Sequence, residues 1–524
     1  AQGYEGPVTV TITVDGKDIT KVDIVGENET EGIGGAAIEE FDDVMVENDL
    51  INVDTMAGAT ATSNAIREAA KLALENAGLN PEDFIKEKEE KEEKKESTES
   101  ETLETDIVVV GAGGAGMVSA ITAADLGKKV VVVESQAMVG GNSIRATGGM
   151  NAGDTPFQDK NEFKEEAGVE KTLKAAAEKY ADNATITELA KVVSEQYEAY
   201  KKEPKGYFDT VELMQLDALI GGKGINNPEL IKTLCVNSSK GVEWLHGVDI
   251  DLTDVGAFGG ASVKRIHRPV DENGKTLPVG SYMIPKLEKA MASRENIKLL
   301  LNTTAEKITL NEDGSVGGIT AKDKSGKEIT IKAKAVVLAS GGFGANLDMV
   351  SELKPALKGF MTTNAPGIKG KGIEMAKEVG AALVDMDQIQ IHPTVQADTA
   401  ALITEGLRGD GAILVNQEGK RFVDEVGTRD VVSAAEIAQP GSYSYLIVDQ
   451  KMADASKVIQ GYIKKGFTKQ GDSLEALAKE LGINEADFAN TVNDWNKKVA
   501  EKKDDDFKRT SFANPLDTAP FYAI

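Results

Sequence analysis

Asp106 to Glu134 reads D-I-V-V-V-G-A-G-G-A-G-M-V-S-A-I-T-A-A-D-L-G-K-K-V-V-V-V-E. Asp106 to Val110 has the composition of a buried strand. Gly111, Gly113 and Gly116 follow in the G-x-G-x-x-G frame, a helical segment leads to Gly127, and an apolar strand ends at Glu134. The glycines permit a tight turn and let a pyrophosphate approach the helix N terminus, where backbone N–H groups lack intrahelical acceptors. The acid closing the second strand can accept from ribose hydroxyls. A glycine frame alone is a weak signal. Strand, frame, helix, strand and terminal acid together predict an α/β, Rossmann-like dinucleotide-binding domain.

The surrounding chain has 524 residues, too many for one ordinary domain, and a formal charge of -27. That charge argues against nucleic acid and anionic membranes as partners. It also repels anionic substrates at long range, so an anion site must carry its own arginines. No run approaches the length of a membrane span. One cysteine, Cys235, and three histidines, His246, His267 and His392, exclude a disulfide scaffold, cysteine-ligated iron–sulfur clusters and haem on C-x-x-C-H. No metal site is expected. The chain starts at Ala1 rather than methionine, which fits a removed signal peptide and an extracytoplasmic location.

Before the glycine frame, Val8 to Val14 alternates as a strand, Asp15-Gly16 marks a turn, and Ile19 to Val25 returns as a hairpin. Ser63 is the expected N-cap of a helix whose apolar face is Ile66, Ala70, Ala73, Leu74 and Ala77 and which ends at Gly78. Ala57, Gly58 and Ala59 leave Thr60 accessible in the loop before it. The domain reading is 1–80 for this small α+β unit and 81–105 for a charged linker that spaces two folded units. The dinucleotide domain follows over 106–355, with a helical insertion at about 160–204. A further unit is read over 356–510, and 511–524 as the start of a return to the dinucleotide domain. Strands are expected at Lys298–Leu301, Glu306–Leu310, Val316–Ala321, Glu328–Lys332 and Ala335–Ala339, and a helix over Gly372–Val379.

Gln390 to Asp430 concentrates chemistry. His392, Thr404, Glu405, Arg408 and Arg429 stand among glycines and apolar residues. One imidazole, one hydroxyl, one carboxylate and two guanidiniums suit the binding of a small dianion and the delivery of a proton to it. The simpler alternative pairs Arg408 and Arg429 with acids such as Asp410 and Asp430. His246 and His267 are read as hydrogen-bonded structural residues.

Two resemblances sharpen this. Asp54-x-x-Ala57-Gly58-Ala59-Thr60, with E-T-E-G-I-G at Glu29–Gly34, resembles the FMN-binding domains that carry flavin as a phosphoester on threonine. Thr60 matches the acceptor, and Ala57 departs from the usual serine or threonine. Gly140, Gly141, Asn142, Thr147, Gly148 and Gly149 resemble the FAD-binding segment of the fumarate reductase and succinate dehydrogenase flavoprotein superfamily. FAD is therefore expected rather than NAD, held by Gly111, Gly113, Ala115, Gly116, Glu134, Gly141, Asn142, Thr147, Gly148 and Gly149. H-P-T, T-E-x-x-R-G-x-G and R-F-x-x-E-x-x-T-R-D resemble the soluble, flavin-based fumarate reductases. Leu252 to Pro269 resembles the same family. Gly370-Lys371-Gly372 departs from its Gly-Asp-Gly.

The resemblance implies a Rossmann-like FAD-binding domain with a capping (clamp) domain, preceded by the FMN-binding domain. His392, Thr404 and Gly148 match substrate contacts. Arg429 matches the proton donor and a substrate contact, with Glu405 and Arg408 as its relay. Guanidinium rarely loses a proton, so a carboxylate that restores it promptly makes Arg429 a workable acid. Hydride would come from FAD, and electrons from an external donor, quinol-linked or an extracellular electron-transfer protein, through FMN on Thr60. Family members continue past Ile524 into further substrate-binding segments, so the chain is expected to be truncated. Urocanate-reducing relatives tend to have tyrosine at Ala400, which favours fumarate here. Another enoate, or an electron carrier without its own substrate, stays open.

Overall fold

The computed structural model describes residues 1–3, 6–27, 29, 34–53, 59–85, 100–256, 261–274, 276–509 and 512–524. The side chains of residues 36, 39, 47, 48, 60, 61 and 457 lie outside that description. The chain divides into two compact units, Ala1–Ala146 with Gly280–Ile389 and Thr147–Val279 with Gln390–Ile524. The expected boundaries differ. Residues 147–279 were read with the dinucleotide domain, yet they group with the segment from Gln390 onward.

In the first unit, Thr9–Asp15 and Asp18–Val25 form the expected antiparallel hairpin. Its inward residues Val10, Ile19 and Val22 pack with Phe41 and Met45 of the Gly34–Asn48 helix and with Ile66, Ala70 and Leu74 of the Thr60–Asn76 helix. That second helix starts at Thr60, not at Ser63. Ala59 is its cap, no side chain caps it, and Ser63 N donates to Ala59 O at 2.9 Å. Ser63 thus lies inside the first turn, past the entry position. The exit is as expected, with Gly78 at φ 75° just beyond the helix. Phe84 is buried against this core, so the ordered N-terminal unit runs past residue 80. Residues 86–99 of the expected linker, and Asp54–Gly58 of the FMN motif, lie outside the described residues.

The linker reading also fails at its far end. The strand expected from Asp106 begins at Ser100, and Ser100–Val110 pairs in parallel with Glu328–Leu338 along its length. The latter is one strand where two were expected, because nothing between Lys332 and Ala335 breaks the alternation. A six-stranded sheet runs in the order Ile297–Leu300, Val130–Val133, Ser100–Val110, Glu328–Leu338, Val316–Asp323, Thr303–Leu310. The first four strands are parallel and the last two close an antiparallel meander. Parallel central strands are covered on both faces, which is why Val108, Val109, Val131 and Val132 are buried without alternation.

The second unit holds two small sheets. Met150–Asn151, Ile266–Arg268 and Asp254–Gly256 form one, with Ile266–Arg268 in the middle. Beside it are the expected inserted helices, Glu166–Lys179 and Ala184–Lys202. Asp209, fully buried, receives Arg265 Nε and Nη2 at 2.8 and 2.7 Å. His267 is fully buried, its ring nitrogens 2.6 Å from Thr155 Oγ1 and 2.8 Å from Arg265 O. His246 pairs with Asp251. Both histidines are thus engaged with neighbours in this unit.

The other sheet is antiparallel, in the order Ile413–Val415, Tyr445–Asp449, Phe521–Ala523, Lys469–Gly471. Phe521–Ala523 was read as the start of a return to the dinucleotide domain. It is instead an interior strand of this sheet, bonded on both edges and buried. Leu414, Ile447, Phe488, Val492 and Trp495 build the core beneath.

Candidate active site

The glycine loop meets its steric requirement. A Cβ on Gly116 would stand 1.9 Å from Gly111 O, and one on Gly111 (φ 101°) would stand 2.6 Å from Ala339 O. Gly113 caps the Gly114–Asp125 helix in extended conformation with no side-chain cap. A Cβ on it would meet nothing closer than 3.7 Å, which leaves the approach to the first turn open to a phosphate around Ala115. Glu134 is buried, with Oε2 accepting from Ala112 N at 2.8 Å and Oε1 from Gln136 N at 3.0 Å. It splints the loop and keeps acceptor capacity for ribose hydroxyls. These residues fit FAD. Gly116→Ala is expected to cost about 1–3 kcal/mol and to lower FAD retention, because the clash is with backbone. A melting temperature and FAD content equal to wild type would show that the close approach is not needed.

The second glycine-rich segment is divided between the units. Gly140 (φ 110°) and Gly141 (φ 49°) lie in the first. Asn142 there donates from Nδ2 to Asn364 Oδ1 and accepts from Ala365 N at Oδ1, each at 2.7 Å. Thr147, Gly148 and Gly149 open the second unit. A Cβ on Gly149 would come 2.4 Å from His267 O, so this glycine lies flat on the Ile266–Arg268 strand. Gly148 lies beside Ile266. Thr60 opens its helix, but its side chain is outside the described residues.

The residues from Gln390 to Arg429 converge on one carboxylate. Thr394 and Ile403 face each other across a narrow loop, with Ile403 N donating to Thr394 O and Thr394 Oγ1 to Ile403 O. That pairing carries His392 back toward Glu405. His392 Nε2 is 3.9 Å from Glu405 Oε1. Its Nδ1 is 2.9 Å from Thr394 O and 3.3 Å from Thr394 N, so the proton's position on the ring selects which of the two it engages. Tyr462 accepts from Thr404 N at 3.0 Å and donates to Leu402 O at 3.2 Å, which staples Thr404 from a distant helix.

Arg429 is the first residue of the Arg429–Ile437 helix. Its Nε and Nη2 donate to Glu405 Oε1 and Oε2 at 2.7 and 3.1 Å. Nη1 donates to Gln390 Oε1 at 2.6 Å. Arg408, almost fully buried, donates from Nη2 to Glu405 Oε1 at 3.1 Å. The alternative pairing with Asp410 and Asp430 is not what forms. Asp430 takes Thr428 Oγ1 and approaches Lys223. Glu405 reaches Arg429 from another segment of the chain, 24 residues away.

The charges follow from this geometry. Burial, aided by the Arg429 and Arg408 charges, pushes the His392 imidazole down to about 4 against the pull of Glu405. Burial works to raise the Glu405 carboxyl, but its hydrogen bond with Arg429 and the two guanidinium charges outweigh that and hold it below its ordinary value. Burial also lowers Arg408. The site at neutral pH is therefore a neutral imidazole, one carboxylate and two guanidiniums, a net cationic cluster suited to an anionic ligand. His392, Thr404, Glu405, Arg408 and Arg429 were legible in the sequence. Gln390, Tyr462 and the Glu425 carbonyl that takes Arg408 were not, since no local pattern announces them.

Among the described residues no helix is long and apolar enough to cross a membrane, and no cluster of histidine, cysteine and acidic residues could hold a metal.

Comparison with known proteins accounts for both parts of the chain. The FAD binding domain family matches residues 106–208 and 196–524, and the FMN-binding domain family matches residues 3–75. A fumarate reductase (cytochrome) of Shewanella frigidimarina is 39% identical over 418 residues, 80% of this chain and 65% of that one. A urocanate reductase of Eggerthella lenta is 30% identical over 537 residues, covering 100% of this chain and 80% of that one. The open conformation of a flavocytochrome c3 fumarate reductase superposes with a TM-score of 0.61 at 35% identity, covering 82% of this chain and 67% of that one. The chain spans about half to two thirds of the length of the first curated relatives it matches. On these matches the chain belongs to the fumarate reductase family of flavoproteins, with an FAD-binding and an FMN-binding domain.

Proposed function

We propose that this protein reduces the C=C bond of an enoate, with fumarate as the preferred substrate. The observation that carries this is the two-pronged Arg429–Glu405 pair with Arg408 behind the same carboxylate. Bound FAD supplies the hydride. His392 and Thr404 hold a substrate carboxylate, which selects the imidazole tautomer with its proton on Nε2. Arg429 contacts the substrate and gives a proton to the carbon opposite the one that receives hydride. Glu405 returns a proton to Arg429 and draws its own from Arg408, whose burial makes it a weaker base than an ordinary arginine. Two guanidiniums beside the substrate stabilise negative charge as it develops.

Ala400 favours fumarate over urocanate. It is buried and holds φ at 55°, where a bulky aromatic side chain would be both strained and crowded. FMN carried on Thr60 would supply one-electron chemistry between an external donor and the FAD site. A covalently held flavin suits a location outside the cytoplasm, where lost cofactor is hard to replace.

Two measurements test the reading. Dithionite-reduced protein loaded with both flavins is expected to reoxidise on adding fumarate, and slowly or not at all with urocanate or acrylate. Reoxidation by none of the three would leave an electron carrier. Intact mass is expected to show one FMN-phosphoryl adduct, absent in Thr60→Ala, while a reduced dye still drives fumarate reduction in that variant. An adduct retained in Thr60→Ala would reject Thr60 as the acceptor.

A further inference from the structure

Arg408 stands on a short, glycine-rich turn whose carbonyls are held by side chains from a distant segment. The Gly406–Gly409 helix is four residues long, and Gly411 follows at φ 122°. Glycines at 406, 409 and 411 add backbone freedom, and so short a helix has little stability of its own. Its alternate carbonyls are held from about a hundred residues away. Arg509 Nη2 donates to Arg408 O at 2.6 Å and Nη1 to Ala412 O at 3.0 Å. Asn514 Nδ2 donates to Asp410 O at 3.0 Å. The Arg408 side chain is held as well, with Nη1 donating to Glu425 O at 2.7 Å.

The same glutamate anchors the clamp. Glu425, fully buried, receives Arg509 Nη1 at 3.0 Å and Arg421 Nε and Nη2 at 2.7 and 2.8 Å. Arg421 also reaches Asp504 at 3.0 Å. Both guanidiniums lie over the Trp495 ring, at 4.6 and 4.5 Å from its centroid. Two cations and two anions inside a core gain little stability over apolar residues of similar size. What apolar residues cannot do is direct donors at carbonyl oxygens. A planar guanidinium, with its donors in a fixed fork, can hold two carbonyls and a carboxylate at once.

We infer that Arg509, anchored on Glu425 and assisted by Asn514, is a positioning residue that fixes Arg408 within proton-transfer distance of Glu405. The inference rests on the proton relay proposed above. The Arg408 Nη2 to Glu405 Oε1 distance is 3.1 Å, near the upper limit for direct transfer, so a small drift of the turn breaks the link.

The test uses the full chain loaded with FAD. Arg509→Lys keeps a charge against Glu425 but cannot span both carbonyls. It is expected to lower kcat for fumarate roughly 10- to 100-fold, with KM within about twofold of wild type, a larger solvent deuterium isotope effect on kcat and unchanged FAD content. Asn514→Ala leaves the buried charges intact and is expected to lower kcat roughly threefold with the same isotope trend. It serves as the test if the lysine variant does not fold. Unchanged kcat and isotope effect, or a loss of rate that only parallels a loss of FAD, overturns the inference. If wild type turns over no enoate, the relay itself is what fails.

Discussion

Arg429→Ala is expected to cut the rate of fumarate reduction about 1,000-fold at unchanged FAD content. Arg429 is the one guanidinium of the cluster that combines exposure with a fixed direction. Its side chain is 41% exposed, while that of Arg408 is 4% exposed. On the proposed mechanism the exposed group meets substrate and the buried one serves as its proton relay. Three donor atoms of Arg429 are already committed, two to Glu405 and one to Gln390, so the guanidinium plane is set before substrate arrives. Its half-exposed ion pair contributes little to the fold, and the variant should melt close to wild type. Lysine is not an adequate substitute. It offers one point of charge and cannot bind both oxygens of Glu405 in register, so Arg429→Lys should also lose most of the rate. Fumarate turnover near wild type in either variant, with normal flavin, would remove Arg429 as the acid.

Glu405→Gln is expected to cost about 100-fold in kcat and to move a measurable pKa without any flavin present. The carboxylate accepts from two guanidiniums and lies 3.9 Å from the His392 ring. Gln keeps the shape but cannot carry the proton between Arg408 and Arg429. It also removes the only charge in the cluster that favours protonated His392, so that imidazole should titrate below its present value of about 4. With three histidines in the chain, an NMR titration can resolve the change.

The sign of the accompanying stability effect is set by the same shift. His392 titrates near 4 when folded and near 6.5 when unfolded. Folding therefore favours the neutral ring. The contribution is complete above about pH 6.5 and is lost as pH falls from 6.5 toward 4. In the variant the loss should extend to lower pH. A His392 signal that titrates at the same pH in both proteins would show that Glu405 does not act on the ring.

Local order in the chain determined a good part of this protein. The glycine frame at Gly111–Gly116 needs only neighbours in sequence: a strand, a turn without Cβ atoms, and a helix N terminus. The Asp15-Gly16 hairpin and the exit of the Thr60–Asn76 helix at Gly78 are equally local. The site tract was legible because His392, Glu405 and Arg429 lie within forty residues of one another in motifs that resemble a known family, although spacing alone left pairing with Asp410 and Asp430 open.

What the sequence could not specify depends on pairing at long range. Nothing in Ser100–Thr105 marks it as a strand until Glu328–Ala333 lies beside it. Phe521–Ala523 looks like a departing segment until Tyr445–Asp449 and Lys469–Gly471 close on both its edges. Thr147 and Gly148 follow Asn142 closely in sequence, yet they belong to the other compact unit. Arg408 stood out as a candidate relay residue only through the family resemblance of its motif. That its turn is held by Arg509 and Asn514 was decided only in three dimensions, because backbone carbonyls carry no side-chain signature and their partners arrive from about a hundred residues away.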